Sequence, residues 1–365
     1  MKKVLVARLD SAGDVLLSGP AVRAVAASGA TVCYLCGPQG RAAAASLPGV
    51  TEVFCWDSPW ITVPAPDATP AHLEPLNAFL ASGGFDEAII FSSFHQSPLP
   101  LALLLRLAGV RRITGASVDH AGSLLNVRLR PGEDFPEDQP EALRALGIAA
   151  AAGYHLPPAD DGALAVRQIP DVRHLVGEES YVVIHPGAAV QARTWPPLHH
   201  AALVELLHGA GWRVVVTGGA TERQLTATVA GNAGLDLGGA TDFATLTGVL
   251  AGADVLVTGN TGPAHLAAAV GTPVASLFSP VVPAIRWAPY KVPVELLGDQ
   301  NAPCRLSRAR DCPVPGHPCL AQVAPEEVLA AVYRLGTGVS SLGTRRRLKP
   351  GAPGTSDLPT GRKRE

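Results

Sequence analysis

The first loop that could do chemistry carries two carboxylates, in the segment Asp10-Ser-Ala-Gly-Asp14. It follows the short apolar run Lys3–Leu9 and precedes an Ala- and Val-rich stretch, so the pattern predicts a strand before it and a helix after it. The loop has one glycine, Gly13, and lacks the fingerprint G-x-G-x-x-G, which counts against a nicotinamide or flavin enzyme. Asp14 falls in the first helical turn, as either an N-cap carboxylate or a general base facing a cleft.

A second loop, Gly259-Asn-Thr-Gly-Pro-Ala-His265, has the composition of an anion-binding site. It lies between the apolar run Val255–Thr258 and an Ala-rich helix. Small residues let the backbone approach a ligand closely, and a helix N-terminus offers unpaired N–H groups, which suits a phosphate or diphosphate. His265 follows Thr261 by four residues, so both are expected on one helix face, where the imidazole either binds phosphate or packs. The alternative for the loop is an ordinary turn between strand and helix.

One isolated cation follows the first strand of the second half of the sequence. Arg193 is the only Lys or Arg between Arg173 and Arg213, and it lies after the Gly- and Ala-rich turn that begins at His185. Such a cation either neutralises a bound anion or is a solvated surface group. The sequence alone leaves both interpretations open.

A carboxylate occupies a similar position after the next strand, in the segment Gly218-Gly-Ala-Thr-Glu-Arg-Gln224. Thr221 and Gln224 fit a capping box, which would make Glu222 the first helical residue, where a negative charge suits the helix dipole. The alternative is that Glu222 binds the hydroxyl pair of a ribose.

Sequence signals for a metal are weak. The chain has no D-x-D, no His-Glu-x-x-His and no Walker A loop, so a metal-held nucleotide is not supported. Cys304, Cys312, His317 and Cys319 are zinc-ligating residue types, but their spacing lacks a C-x-x-C knuckle. We therefore expect no metal site.

Short apolar runs alternate with Ala- and Leu-rich stretches, which predicts an α/β protein with parallel sheets covered on both faces. The predicted strands are Lys3–Leu9, Thr31–Leu35, Val50–Trp56, Glu87–Phe91, Arg111–Thr114, Tyr181–Ile184, Arg213–Thr217, Leu235–Leu237, Val255–Thr258 and Val274–Phe278. The predicted helices are Val15–Ala27, Gly40–Leu47, Ala71–Ala81, Pro98–Leu107, Pro140–Ala152, Pro197–Ala210, Glu222–Ala230, Phe243–Ala251, Ala264–Val270 and Pro325–Arg334. The pattern restarts near residue 181 after a polar stretch, 156–180, which predicts a linker between two doubly wound halves with a ligand in the cleft between them.

Composition and charge exclude several classes of protein. Of the 365 residues 47% are hydrophobic and 16% charged, so most of the chain can bury a core. The net charge of −2 combines +5 in residues 341–365 with 22 basic and 29 acidic residues before them, a body of −7 that argues against binding nucleic acid. No apolar run approaches the ~20 residues of a membrane span. We expect a cytoplasmic protein whose basic tail is disordered or contacts the anionic inner face of the membrane.

These loops together resemble glycosyltransferase family 9, the ADP-heptose:lipopolysaccharide heptosyltransferases and their relatives. The matching pieces are residues 4–20, 185–188, 193–196, 218–222 and 260–273, and the match spans residues 3–335. The resemblance implies the GT-B fold, in which two Rossmann-like domains face each other across a cleft. We therefore predict an acceptor-side domain over 1–165, a nucleotide-sugar-binding domain over 175–337 and a basic tail over 338–365.

The resemblance implies an inverting, metal-independent transfer of a sugar, heptose by preference, from a nucleotide diphosphate to a saccharide or lipid-linked saccharide hydroxyl. No cofactor is implied besides the donor substrate, ADP-heptose by preference. Asp14 resembles the catalytic base. The residues that resemble donor diphosphate contacts are Arg193, Asn260, Thr261, Gly262 and His265, and Glu222 resembles the ribose contact. Arg193 stands where the family usually has Lys, and Asn260 where relatives often have Asp.

For the base, we expect the helix end to lower the pKa of Asp14 and keep it ionised at neutral pH. Two other functions remain open from the sequence. One is a nucleotide-sugar epimerase with the same two-domain layout. The other is a protein that binds a nucleotide sugar without catalysis.

Overall fold

The structure is a computed structural model that describes residues 1–338, and it contains two parallel six-stranded β-sheets. The first sheet contains β1 Lys3–Arg8, β2 Thr31–Cys36, β3 Val50–Cys55, β4 Glu87–Ile90, β5 Arg112–Ala116 and β6 Val127–Leu129. The second contains β7 Tyr181–His185, β8 Arg213–Gly218, β9 Gly234–Gly238, β10 Val255–Gly259, β11 Val274–Leu277 and β12 Val294–Leu297. We call residues 1–151 the first half and residues 181–338 the second half.

Helices connect the strands in both halves. Those of the first half are α1 Ala12–Leu17, α2 Gly19–Ala27, α3 Arg41–Ser46, α4 Pro70–Gly83, α5 Leu99–Leu107 and α6 Glu141–Ala151. A short helix, α7 Arg173–Val176, lies in the connecting stretch. Those of the second half are α8 Pro197–Gly209, α9 Arg223–Ala230, α10 Phe243–Gly252, α11 Gly262–Ala269, α12 Ala284–Trp287, α13 Pro318–Ala321 and α14 Pro325–Gly338. Each connecting segment brings the chain back to the end of the sheet where the previous strand began, so that neighbouring strands run parallel.

The two sheets have the same strand order. The first runs β3-β2-β1-β4-β5-β6 and the second β9-β8-β7-β10-β11-β12, which is the doubly wound order in both cases. The order reverses direction between β1 and β4 and between β7 and β10. Ligands in such sheets bind outside the carboxyl ends of the strands at these switch points.

Burial on both faces explains the unbroken apolar strands. In β1, Val4 and Val6 pack into one core cluster together with α2 and α6, while Leu5 and Ala7 pack into another together with α4 and α5. A strand covered on both sides has no solvent face, so its sequence is continuously apolar rather than alternating. This arrangement fixes the positions of the loops that leave the strand ends.

The predicted fold class is confirmed, with local corrections. The single helix predicted over Val15–Ala27 is two helices, α1 and α2, because Pro20 cannot donate to the carbonyl of Leu16 and its ring crowds that turn. The strands β6 and β12 were not predicted. Each is a short edge strand with partly exposed side chains and lacks a strong apolar run.

Two predictions have no structural outcome. The domain limits at residues 165 and 175 stay predictions. The basic tail predicted over 338–365 lies outside the described residues, apart from Gly338, which ends α14. Within residues 1–338, no helix is both long and apolar enough to cross a bilayer.

Candidate active site in the cleft between the two sheets

Four loops meet in one cleft of about 1000 Å³. Two of them follow β1 and β4 of the first half, and two follow β7 and β10 of the second half. These are the strands that flank the two switch points, so the topology of each sheet brings its two loops together, and contacts between the halves bring the two pairs to one cleft. The predicted site residues that line the cleft are Asp14, Arg193, Asn260, Thr261, Gly262 and His265.

Asp14 lies at the third position of α1 with its carboxylate fully engaged. Oδ1 accepts from Arg8 Nη2 over 2.8 Å and from the indole Nε1 of Trp287 over 3.2 Å, and Oδ2 accepts from the hydroxyl of Ser11 over 2.7 Å. The N-cap of α1 is Ser11, whose Oγ accepts the N–H of Asp14. The N-cap interpretation of Asp14 is therefore wrong, because the shorter serine already caps the helix.

The charge state of Asp14 follows from these partners. Burial would raise the pKa of Asp14, but the charge of Arg8 and the hydrogen bonds from Ser11 and Trp287 lower it below its usual value. The direction agrees with the expectation from sequence, whereas the cause is mainly a buried arginine rather than the helix end. Asp14 is therefore a carboxylate at neutral pH.

The neighbouring carboxyl, Asp10, has the opposite shift. Burial and the negative charge of Asp14 raise the pKa of Asp10 to about 6, against the charge of Arg8. Asp10 accepts from Arg8 Nε over 2.5 Å and from the amide of Gln96 over 2.9 Å. Two carboxyls that share one arginine thus have separated proton affinities, as is common in sites that handle protons.

The opposite wall of the cleft is the N-terminus of α11. Thr261 is its N-cap with an extended backbone, and within the described chain no side chain caps this end. The N–H of Thr261 donates to the backbone oxygen of Gly259 over 2.9 Å and Pro263 has no N–H, so within residues 1–338 the N–H of Gly262 is the one left for a ligand in this first turn. The first turns of α1 and α11 meet at Gly13, where a Cβ would lie 2.7 Å from Cδ2 of His265 and 3.4 Å from Cα of Gly262. A side chain at residue 13 would therefore displace His265.

His265 is 6% exposed and neutral, since burial and the nearby Arg193 lower the pKa of its imidazole to about 4, against the charge of Asp14. Its Nδ1 has no hydrogen-bond partner in residues 1–338. A buried imidazole nitrogen without a partner can bind a ligand oxygen. The phosphate contact of His265 stays a prediction.

Arg193 is half-buried beside the loop that precedes α11. Its Nη1 approaches the backbone oxygen of Asn260 at 3.4 Å, and its Nε has no partner. Within residues 1–338 it forms no ion pair with any carboxylate, although burial and the neighbouring Arg310 lower the pKa of its guanidinium. A partly buried cation without a direct carboxylate partner is costly, and the charge of Asp14 offsets part of that cost, so an anion bound beside Arg193 would stabilise it further.

Asn260 and Glu222 are placed differently from the other predicted residues. The side-chain amide of Asn260 bonds to the backbone of Ser279 in both directions, at 3.3 Å each, so it braces the loop at the edge of the cleft. Glu222 does not line the cleft. Its carboxylate accepts from the N–H of Gly219 over 2.6 Å and lies against Gly187, at the ends of β7 and β8.

The capping box predicted from Thr221 and Gln224 is wrong. Residues 220–222 form a 3₁₀ turn, and α9 begins only at Arg223. Glu222 folds back onto the N–H of Gly219, so the bond from side chain to backbone is made two residues before the predicted pair. The other carboxylate oxygen, Oε1, lies against Gly187 in the loop after β7.

Sequence analysis missed three residues of the cleft. Arg308 and Arg310 line it from the segment that follows Cys304, and Trp287 reaches Asp14 from α12. Arg308 has a φ of 58°, and its N–H is bound to the backbone oxygen of Val281 at 2.9 Å. Such left-handed backbone outside glycine is uncommon and concentrates at functional sites. The arginine cluster in an acidic body was a usable signal, whereas nothing local marks Trp287.

The cysteines form no recognisable metal centre. All six are free, and the described residues contain no group of three or more His, Cys, Asp or Glu side chains that could hold a metal ion. Cys33 and Cys36 are buried within β2, where burial raises the pKa of both thiols. Buried thiols with a raised pKa are typical of structural cysteines in a strand rather than of a redox pair.

Residues 83–317, more than half of the chain, match the family model of glycosyltransferase family 9 (heptosyltransferase). The chain belongs to this family. It is 32% identical over 219 residues to lipopolysaccharide heptosyltransferase 1 of Pseudomonas aeruginosa, which covers 57% of this chain and 60% of that protein. Other curated relatives are matched over about a third of their length.

Solved structures of this family share the fold described above. The structure of E. coli ADP-heptose LPS heptosyltransferase II superposes with a TM-score of 0.70 at 20% identity, covering 93% of this chain and all of that chain. The E. coli heptosyltransferase with ADP-2-deoxy-2-fluoro heptose gives a TM-score of 0.68 at 21% identity, covering 91% and 99%. The fold is therefore of the GT-B type, as expected.

Proposed function

We propose that this protein transfers a sugar, with inversion and without a metal, from a nucleotide diphosphate to a saccharide hydroxyl. The observation that carries the proposal is Arg193, a partly buried cation with no carboxylate partner in residues 1–338, beside the N-terminus of α11. Across the cleft lies Asp14, a carboxylate held ionised. A cation and a helix N-terminus on one wall with a base on the other match the two charges that glycosyl transfer develops.

In this mechanism the acceptor hydroxyl attacks the anomeric carbon as the bond to the diphosphate breaks. The hydroxyl proton passes to Oδ2 of Asp14, because Oδ1 already receives two N–H donors, whereas Oδ2 is held only by the rotatable hydroxyl of Ser11. The departing diphosphate keeps the electron pair of the broken bond. Attack from the side opposite the leaving group inverts the anomeric carbon.

The donor diphosphate is bound by Arg193, by the backbone N–H of Gly262, and by the side chains of Thr261 and His265, which line the cleft. Arg310 supplies a second cation from the segment after Cys304. Asn260 acts by bracing this loop, since its amide is engaged with Ser279. These groups are fixed before the reaction begins, so they stabilise the growing charge without reorganising.

Glu222 is proposed to bind the donor ribose. Its carboxylate lies at the ends of β7 and β8, where the turn after β7 contains no bulky side chain. ADP-heptose is the preferred donor, by analogy with the solved relative that holds ADP-2-deoxy-2-fluoro heptose. Lipid-linked saccharide is the preferred acceptor, on the cytoplasmic side and next to the membrane, by analogy with the lipopolysaccharide heptosyltransferases named above.

A thermal-shift panel of ADP-, UDP- and GDP-sugars tests the donor site, because a ligand well above its Kd raises the unfolding temperature by mass action. We expect one nucleotide class to stabilise the protein and Arg193→Ala to lose most of that shift. Arg213→Ala, on the edge of β8 outside the cleft, is the matched control. No shift with any nucleotide sugar contradicts the proposal.

The reaction products distinguish the two other candidate functions from sugar transfer. Conversion of the donor to a stereoisomer without an acceptor would indicate an epimerase. Binding of the donor with neither hydrolysis nor transfer would indicate a protein that binds without catalysis. We expect neither.

A further inference from the structure

The indole of Trp287 crosses the cleft from the second half to the first. Trp287 is the last residue of α12, and its Nε1–H donates to Oδ1 of Asp14 over 3.2 Å. Its ring also lies 6.0 Å, between ring centroids, from Phe94 in the loop after β4. One side chain of the second half therefore contacts both loops at the switch point of the first half.

The preceding residue fastens the same helix to the first half. Arg286 is 4% exposed and forms ion pairs with Glu137 at 2.6 Å and Glu141 at 3.6 Å. Its guanidinium carbon lies 4.2 Å from the ring centroid of Phe94. Separating the halves would break all of these contacts together and leave charges without partners, so α12 occupies this position only in the closed arrangement.

Two routes lead from α12 to Asp14. One is direct, through the indole of Trp287. The other runs from Arg286 to Glu141, on to Arg8 at 3.4 Å, and from Arg8 to Asp14 at 2.8 Å. Arg8 and Ser11 belong to the first half and hold Asp14 whether or not the cleft is closed. Trp287 is the direct donor to Asp14 that closure alone can supply.

We propose that Trp287 is a positioning residue for Asp14, whose indole N–H orients the carboxylate for proton abstraction only when the two halves are closed on each other. The inference rests on the proposed function, since it gives Asp14 the role of base. The indole donates to Oδ1, so the proton of the acceptor passes to Oδ2, which is held by the rotatable hydroxyl of Ser11. The carboxylate of Asp14 is therefore fully oriented only while the closed halves enclose the donor and the acceptor.

Closure of the two halves and the proton affinity of Asp14 are then linked. The other charged or titratable groups that face Asp14 from the surrounding elements are Arg8, Asp10, His95, Glu141, Arg193 and His265. None of them changes in a Trp287→Phe variant, which keeps an aromatic ring beside Phe94 and removes the N–H together with the five-membered ring of the indole. Loss of a hydrogen bond to the charged form raises the pKa of a carboxyl.

The test is the pH profile of ADP release from ADP-heptose, with water as the acceptor where no saccharide is supplied. For Trp287→Phe we expect kcat to fall by about tenfold at neutral pH, the acid limb to move to higher pH, and the KM for the donor to stay unchanged. Trp212→Phe, which lies outside the cleft against Tyr333, is the matched control with an unchanged profile. A wild-type profile in Trp287→Phe, or a raised KM with kcat intact, overturns the inference.

A second readout is independent of turnover. The emission of Trp287, obtained as the difference between the wild type and Trp287→Phe, should change as Asp14 titrates, and Asp14→Asn should abolish that change. If the wild type releases no ADP, the proposed function fails, while this titration still tests the contact. A difference emission that is flat with pH, or that is the same in Asp14→Asn, overturns the inference.

Discussion

At the scale of single residues, charge is divided between the two walls of the cleft. The first half contributes carboxylates such as Asp10 and Asp14, and the cationic side chains among the described residues that line the cleft, Arg193, Arg308 and Arg310, all come from the second half. Because the body of the chain carries −7 before its last 25 residues, an anionic donor cannot be attracted by bulk charge. Its binding depends on these few placed cations.

The cation contributed by Arg310 gives a prediction at this scale. Arg310→Ala should weaken binding of the donor nucleotide by about tenfold, since a hydrogen bond to a charged group is worth about 1.5–3 kcal/mol. Calorimetric titration with ADP measures it. Arg305→Ala, on the same segment but not in the cleft, is the control, and equal loss in both variants would show that only the segment's net charge matters.

Sequence reasoning succeeded for residues next to a strand end and failed for those brought in from a distance. Asp14 and Thr261 each follow an apolar strand directly, so the topology of a doubly wound sheet predicts where they lie. Trp287 and Arg308 reach the cleft only through contacts of α12 and of the segment after Cys304. No local pattern encodes such contacts.

At the scale of elements, the first turns of α1 and α11 face each other across the cleft. They approach at Gly13, so the spacing of these two helices depends on a residue without a side chain. Interior strands were predicted because they are apolar throughout, and the edge strands β6 and β12 were missed because they are short and half-exposed. Burial therefore decided which elements the sequence reveals.

The helix approach predicts a specific effect of Gly13→Ala. The new Cβ would lie 2.7 Å from Cδ2 of His265 and must displace it, so we expect kcat to fall by tenfold or more, about 1.4 kcal/mol. Gly147→Ala, in the interior of α6 with no atom near its Cβ, should raise stability by about 0.5–1 kcal/mol and leave kcat unchanged. Steady-state kinetics and denaturant unfolding measure both. Full activity in Gly13→Ala would contradict the close approach.

At the scale of the whole molecule, two sheets of identical strand order place their switch points on opposite sides of one cleft. The alternation of strands and helices predicted this arrangement, because parallel strands joined by helices admit few topologies. It did not predict how the halves are held together, which depends on buried pairs such as Arg286 with Glu137. In the proposed mechanism the two halves supply different parts of the site, the base from the first and the diphosphate contacts from the second, and transfer requires both.

Asp14→Asn tests this account most directly, with ADP release from ADP-heptose and calorimetric binding of ADP measured on the same preparation. Asparagine keeps the size of the side chain and removes the base, so we predict that turnover falls by about 10²–10⁴. The Kd for ADP should change by less than about threefold, because Asp14 makes none of the proposed diphosphate contacts. Turnover near that of the wild type would contradict the assignment of Asp14 as the base.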